Sequence, residues 1–160
     1  MIRHIVAFDQ VHGIAKNGVQ PWFIPEDEQY FSAKTKTYGG NILVGSTTFG
    51  LFEHPLRERR NFVVTRHTEP LIGAEIVNDL ESFLKSFTDD LWIIGGTEIF
   101  KQTMTVADEL YVTTIEANFG CDRFYPEINN EFELVSKTDT QEQNGFRFRY
   151  EIYARTTKHG

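Results

Sequence analysis

Residues 93–98 read Ile-Ile-Gly-Gly-Thr-Glu, and this stretch decides the fold because it joins a buried strand directly to a helix. The apolar, β-branched run predicts a strand that is buried on both faces of a sheet. Two glycines then allow a tight turn and a close approach to a bulky group. The helix predicted from about residue 97 to residue 105 begins with free N–H groups that suit a phosphate. The same turn also occurs as a plain connection between a strand and a helix.

Strand-like runs of the same kind recur along the chain, and helical patterns lie between them. The clearest helix follows Asp79, whose side chain can cap it, and its apolar residues repeat at helical spacing from Leu80 to Phe87. This alternation predicts right-handed crossovers and a mainly parallel sheet with helices on both faces. The predicted strands are Ile2–Phe8, Ile42–Val44, Phe62–Thr65, Ile76–Val77, Leu91–Ile94 and Leu110–Ile115, and two further helices begin near Pro25 and after Ser46.

The C-terminal part of the chain follows a different pattern. Apolar and polar residues alternate from Phe146 to Tyr153, directly after Asn144-Gly145, a pair that favours a tight hairpin turn. We therefore predict a final antiparallel strand that pairs with Phe132–Thr138. The expected fold is α/β, with a mixed central sheet that is mainly parallel and has a C-terminal antiparallel edge strand.

The composition favours one domain in a reducing compartment. The 160 residues include 16 basic and 23 acidic side chains, and the net charge of −7 argues against nucleic acid as a partner. A single cysteine excludes an internal disulfide framework and a cysteine-based zinc site. The apolar N-terminal run is too short for a signal peptide or a membrane span. We expect one domain over residues 1–160, a cytoplasmic monomer without a metal, and a small molecule as its partner.

Asp27 is the first candidate for chemistry. Tyr30 and Phe31 lie three and four positions later, so the carboxylate shares the helix face that packs on the sheet. Burial raises the pKa of such a carboxyl group, whereas the helix N-terminus lowers it. The balance can leave an anion that binds a cationic or donor-rich ligand. Alternatively, Asp27 only complements the helix dipole.

Three further segments could form parts of a cleft. Residues 44–48, Val-Gly-Ser-Thr-Thr, again end a strand in glycine before a helix, and two such strand ends suit a cofactor with two phosphates. The basic run at residues 57–60 could bind a carboxylate or could be a solvated surface. Residues 13–22 form a long loop that ends in Trp22. This loop could be a lid that excludes water, or a packed loop that the tryptophan anchors.

Several short motifs occur in order along the chain. They are Ile5-Val6-Ala7, Pro21-Trp22, Ile24-Pro25-Glu26-Asp27, Tyr30-Phe31, Val44-Gly45, Thr48-Phe49, Pro55-Leu56, Arg59, Asn61, Val64-Thr65-Arg66, Ile93-Ile94-Gly95-Gly96, Glu98-Ile99-Phe100, Leu110-Tyr111, Thr113, Asp122, Phe124 and Pro126. No single motif is decisive. In this order, however, they resemble the dihydrofolate reductase family over essentially the whole chain.

The resemblance implies an NADPH-dependent reduction of 7,8-dihydrofolate to tetrahydrofolate, with hydride transfer from the nicotinamide to the pterin ring. Asp27 would bind the pterin, assisted by Thr113 and by a water on Trp22, and these three are the expected catalytic residues. Arg59 would pair with the α-carboxylate of the substrate. The other expected substrate contacts are Ala7, Glu28, Phe31, Phe52, Leu56 and Ile94. The expected cofactor contacts are Ala7, Ile14, Gln20, Gly45, Ser46, Thr47, Thr48, Thr65, Arg66, His67, Gly95, Gly96, Thr97, Glu98, Ile99 and Phe100.

The sequence departs from the family pattern at several positions. Ser46 stands where the family usually has an arginine for the adenosine 2′-phosphate, but Arg66 remains at a second site near it, so NADPH is favoured and NADH stays open. Ala15 and Gln20 replace the usual glycine and large apolar residue of the mobile loop, which puts its closure in question. Glu28 replaces an apolar residue that contacts the substrate and adds a second carboxylate there. Inhibitors that fill this wall should bind weakly, which would give antifolate resistance.

Two other functions stay open. The pyrimidine reductase of riboflavin biosynthesis shares this fold and cofactor but reduces a ribosylamino-pyrimidine. The spacing from Trp22 to Asp27 and the presence of Arg59 favour the folate substrate. A non-catalytic folate-binding protein would keep the binding residues while its loop substitutions end catalysis.

Overall fold

Helices and strands alternate along most of the chain, in the order that the sequence predicts. The computed structural model describes residues 1–156. The helices are α1 (Pro25–Thr35), α2 (Ser46–Phe49), α3 (Leu80–Ser86) and α4 (Thr97–Thr103). The strands are β1 (Ile2–Phe8), β2 (Gly13–Ala15), β3 (Asn41–Gly45), β4 (Arg60–Val64), β5 (Glu75–Val77), β6 (Leu91–Ile93), β7 (Glu109–Ile115), β8 (Arg123–Phe124), β9 (Phe132–Lys137), β10 (Gln141–Gln143) and β11 (Phe146–Arg155).

Within the described part of the chain, nine strands form one mixed sheet. Its order is β10-β11-β7-β1-β6-β3-β4-β5, and β9 also pairs with β11. The pairs from β7 to β5 are parallel, whereas β11 is antiparallel to β7, β9 and β10. The predicted mainly parallel sheet with an antiparallel edge is therefore confirmed, including the pairing of the last strand with β9.

The antiparallel edge contains one strand more than the pattern predicts. Strand β10 is short and polar, so it has no apolar alternation that would reveal it. It joins β11 through Asn144-Gly145, where both residues have positive φ, 57° and 85°. This is the backbone that a two-residue hairpin turn requires, and the predicted turn is confirmed.

Helices cover both faces of the sheet. Ala7 and Phe8 are neighbours in β1 and point to opposite faces, because side chains alternate along a strand. Phe8 belongs to a buried cluster that also contains Phe100 of α4. Ala7 belongs to a cluster on the other face, against which Tyr30 of α1 packs. None of the helices in residues 1–156 is both long enough and apolar enough to cross a membrane.

Local sequence signals set the helix starts. Asp79 caps α3, since its Oδ1 accepts a hydrogen bond from the Ser82 N–H at 3.1 Å, as predicted. Helix α1 starts at Pro25 without a side-chain cap, and its first turn is acidic. Proline sets the helical φ in advance, and the acidic side chains complement the positive end of the helix dipole.

The predicted loop of residues 13–22 contains a short strand. Strand β2 pairs with β8 as a separate antiparallel pair, here called the β2–β8 ribbon. The Asp122 N–H donates to the Ala15 carbonyl at 2.9 Å, and the Asn17 N–H donates to Asp122 Oδ2 at 3.0 Å. Two- and three-residue strands carry no periodic pattern, so the sequence predicts only a loop here.

Candidate active site

A cleft of about 830 Å³ lies where residues from several strands of the sheet come together. Ala7 near the end of β1, Gly45 at the end of β3 and Ile94 just after β6 all line it. Ligands bind beyond the carboxyl ends of strands in open parallel sheets, and this volume is typical of a small-molecule site. Helices α1, α2 and α4 and the β2–β8 ribbon complete the walls.

The carboxylate of Asp27 lies in this cleft and is held by a residue from the sheet. Thr113 Oγ1, on β7, donates to Asp27 Oδ1 at 2.7 Å. Burial is the main cause that raises the pKa of Asp27 from 3.8 to about 6, the Thr113 hydrogen bond opposes this rise, and the charge of Glu28 adds to it. Asp27 is therefore mostly ionised at neutral pH, in a site that disfavours its charge. The predicted burial of this helix face is confirmed.

Two buried polar groups in the cluster around Ala7 lack hydrogen-bond partners among residues 1–156. They are Trp22 Nε1 and the Tyr150 hydroxyl. Both residues belong to the same cluster as Ala7, and the Tyr150 ring stacks on Tyr30 with centroids 3.9 Å apart. Buried N–H and O–H groups nearly always have a partner, so these groups suit an ordered water.

The two glycine-containing turns meet directly. The Gly45 N–H donates to the Gly95 carbonyl at 2.8 Å. Gly95 has φ of +117° and precedes a cis peptide to Gly96, a feature that the sequence does not predict. A Cβ atom on Gly96 would lie 2.9 Å from Thr48 Oγ1, and one on Gly45 would lie 3.1 Å from Ile99 Cγ1. Glycine therefore allows the turn after β3 and the turn after β6 to form one continuous wall of the cleft.

The cleft brings together most of the residues that the sequence singles out. The predicted residues that line it are Ala7, Ile14, Gln20, Asp27, Glu28, Phe31, Gly45, Ser46, Thr47, Thr48, Phe52, Leu56, Ile94, Gly96, Thr97, Glu98, Ile99, Phe100 and Thr113. The predicted residues outside its lining are Trp22, Arg59, Thr65, Arg66, His67 and Gly95. The lining residues that were not predicted are Ile5, Val6, Ala15, Gly18, Tyr30, Leu51, Val64 and Arg123. Across residues 1–156, no cluster of His, Cys, Asp or Glu is arranged to hold a metal ion.

Trp22 is buried behind the cleft wall instead of lining it. Its ring packs against Phe119, with the ring centroids 5.4 Å apart. Arg59 lies beyond the far end of α1, where its Nη1 donates to Thr35 Oγ1 and its Nε donates to the Arg57 carbonyl, both at 2.9 Å. These hydrogen bonds orient the guanidinium next to the cleft without placing it in the lining.

Thr65, Arg66 and His67 follow the end of β4, outside the cleft lining. The Asn78 side chain donates to the Thr65 carbonyl at 2.7 Å and to the His67 carbonyl at 2.9 Å. The His67 N–H also donates to Thr65 Oγ1 at 3.1 Å. The Asn78 amide and the Thr65 hydroxyl therefore hold this segment in a defined shape after β4, the strand next to β3.

The fold and the cleft define an α/β ligand-binding protein with one buried carboxylate and a double-glycine wall. The model of the protein family described as dihydrofolate reductase matches residues 1–155 of this chain. The chain is 32% identical to the dihydrofolate reductase of Aedes albopictus, with 96% of this chain and 97% of that protein covered. It is 33% identical to the Haemophilus influenzae enzyme, with 90% and 93% covered. The structure of the dihydrofolate reductase from Enterococcus faecalis, solved in complex with NADP(H) and RAB-propyl, superposes on this chain with a TM-score of 0.86. The two chains are 30% identical, and the superposition includes 98% of this chain and 97% of that chain. The chain belongs to the dihydrofolate reductase family.

Proposed function

We propose that the protein reduces 7,8-dihydrofolate to tetrahydrofolate with NADPH as the reductant. The observation that carries this proposal is the carboxylate of Asp27, which lies in the cleft and accepts a hydrogen bond from Thr113 at 2.7 Å. A desolvated anion of this kind binds a flat heterocycle that offers adjacent N–H donors, as the pterin ring does. Membership of the family supports the same reaction.

The substrate would lie between Asp27 and an apolar wall. Phe31, Phe52 and Leu56 line the cleft on the side of α1 and α2, and they suit the benzoyl ring of the substrate. Arg59, beyond this wall, would pair with the α-carboxylate of the glutamate tail through a bidentate contact. To do so, the Arg59 side chain would exchange its hydrogen bonds to Thr35 Oγ1 and to the Arg57 carbonyl for bonds to the substrate.

The residues opposite this wall fit a dinucleotide cofactor. A Cβ atom at Gly45 or Gly96 would crowd a neighbouring side chain, whereas glycine presents backbone directly to the cleft. Thr48 and Thr97 add hydroxyl groups along the same wall. When bound, NADPH supplies the hydride. At position 46, where a cation would bind the adenosine 2′-phosphate, Ser46 offers only a hydroxyl group. Arg66 would supply the positive charge for this phosphate and so favour NADPH over NADH.

Asp27 and the surrounding wall would also promote protonation of the substrate. Its charge, in a cleft that excludes water, stabilises positive charge on the pterin ring and so raises the basicity of the ring nitrogen. We propose that water delivers the proton to this nitrogen. Trp22 and Thr113 would keep the heterocycle aligned with the Asp27 carboxylate.

Several further properties follow from composition and remain part of the proposal. We propose that residues 1–160 act as one domain and as a monomer in the cytoplasm, consistent with a single cysteine, Cys121, which is buried. The net charge of −7 favours a small-molecule partner over nucleic acid.

The test is NADPH oxidation by the purified protein with either dihydrofolate or the ribosylamino-pyrimidine of riboflavin synthesis. We expect turnover with dihydrofolate alone. Tight folate binding without turnover would mean a binding protein, and turnover only with the pyrimidine would mean the related reductase; either result would overturn the proposal. Glu26→Gln is the matched control for changes at Asp27, because Glu26 lies in the same helical turn but outside the cleft.

A further inference from the structure

The charged residues of the cleft are unevenly distributed. Its lining contains three carboxylates, those of Asp27, Glu28 and Glu98. Among residues 1–156, Arg123 is the one basic residue in that lining. A dinucleotide carries two negative charges on its pyrophosphate, and carboxylates on the surrounding walls repel them. The position of this single cation therefore bears directly on how the cleft accepts an anionic cofactor.

Arg123 lies on the β2–β8 ribbon, opposite Ala15. Ile14, the neighbour of Ala15, packs against the buried cluster that contains Ile99 and Phe100 of α4. The ribbon is therefore on the α4 face of the sheet. Arg123 and its partner Ala15 both line the cleft, so they face it from the ribbon that packs on α4 through Ile14.

The guanidinium of Arg123 is available to a ligand. Five other arginines, among them Arg3 and Arg155, form ion pairs with Asp or Glu side chains. Within residues 1–156, by contrast, Arg123 has no carboxylate within 4.0 Å and takes part in no side-chain hydrogen bond. Its strand is held in place by the neighbouring Asp122, whose N–H donates to the Ala15 carbonyl and whose Oδ2 accepts from the Asn17 N–H. A cation without a partner on an ordered strand can bind an anion at little cost in reorganisation.

We propose that Arg123 binds the pyrophosphate of the dinucleotide cofactor and so contributes to the affinity for NADPH and NADH alike. The inference rests on the proposed function. A guanidinium can donate two parallel hydrogen bonds to phosphate oxygens, which the hydroxyl of Ser46 cannot do. The contact would also link the β2–β8 ribbon to the glycine wall, so that cofactor binding holds the ribbon over the cleft.

The experiment compares Arg123→Gln and Arg123→Lys with Lys16→Gln. Lys16 directly follows β2 and lies outside the cleft lining, so its substitution removes one positive charge beside the ribbon without removing a residue of the site. Dissociation constants for NADPH and for NADH are measured by protein fluorescence at low and high salt. We expect Arg123→Gln to raise the dissociation constants of both cofactors by about three- to thirtyfold and to make these constants less dependent on salt. Arg123→Lys should recover part of the affinity, and Lys16→Gln should match the wild type.

Two outcomes for the variants overturn the assignment. Equal affinities for the wild type and Arg123→Gln would show that the cation does not contact the cofactor. A loss confined to NADPH would place the contact at the 2′-phosphate, because NADH has the pyrophosphate but lacks that group. Binding is measured without turnover, so a wild type that binds NADPH but does not reduce dihydrofolate would refute the proposed function and leave the result for Arg123 intact. A wild type that binds neither cofactor would refute both.

Discussion

Replacing Asp27 with asparagine should raise the free energy of unfolding of the ligand-free protein, and this gain over the wild type should grow as the pH rises. The pKa of Asp27 is raised from 3.8 to about 6, mainly by burial. Because the folded-state value is the higher one, the stabilising contribution of the protonated carboxyl group is complete below pH 3.8 and is lost as the pH rises through about 6. Asparagine has a similar shape, can accept the Thr113 hydrogen bond and stays neutral at every pH.

The size of the effect follows from the pKa. One pKa unit corresponds to about 1.4 kcal/mol, so the ionised carboxylate destabilises the fold by at most about 3 kcal/mol. Relaxation of the solvent and of the side chain reduces this figure, and we expect Asp27→Asn to raise the free energy of unfolding by about 1–3 kcal/mol near pH 8. Near pH 4 the gain should almost vanish, since the carboxyl group is then protonated in the folded protein.

The assay is urea unfolding of the ligand-free wild type, Asp27→Asn and Glu26→Gln across this pH range. Glu26 is exposed in the same helical turn, so its substitution should produce no gain that grows with pH. The reasoning fails if Asp27→Asn is less stable than the wild type near pH 8. It also fails if the gain is the same at every pH, because burial of the charge would then not be its source.

Three other substitutions test neighbouring parts of the site. Glu28→Gln removes a charge that raises the pKa of Asp27, so an NMR titration of the Asp27 carboxyl group should give a lower midpoint. The same variant should bind a diaminopyrimidine inhibitor about three- to tenfold more tightly than the wild type. A nanomolar inhibition constant for the wild type would contradict the role given to Glu28. Thr113→Val removes the 2.7 Å hydrogen bond and should shift the Asp27 midpoint upward, whereas an unchanged titration would mean that the bond does not favour the anion. Arg59→Lys should raise the KM for dihydrofolate by about three- to tenfold with kcat unchanged, and an unaltered KM would assign the glutamate contact to another residue.

The sequence predicts the parts of the site that depend on periodic or local signals. The spacing of Asp27, Tyr30 and Phe31 predicts that the carboxylate lies against the sheet, and the structure confirms it. The glycines after β3 and β6 predict two open turns, which meet through the hydrogen bond between Gly45 and Gly95. The pairing of Thr113 with Asp27 spans 86 positions, and only the family resemblance anticipates it.

Other parts of the site have no signal in the local sequence. Arg123 belongs to a two-residue strand, too short for alternation, and its approach to the cleft depends on its pairing with Ala15. Trp22 packs against Phe119 and lies outside the cleft lining, because tertiary packing decides where a large ring is buried, and its role through a water stays a prediction. The roles of Arg59 and Arg66 remain predictions, since a charge pattern does not reveal how far a long side chain reaches.

The most direct test of the account is the rate of dihydrofolate reduction by NADPH at neutral pH in the wild type, Asp27→Asn and Glu26→Gln. Removing the buried carboxylate should lower kcat/KM by on the order of a hundredfold, while circular dichroism shows an intact fold. Glu26→Gln should retain the wild-type rate. If Asp27→Asn turns over as fast as the wild type, the carboxylate in the cleft is not the group that binds the pterin, and the account is wrong.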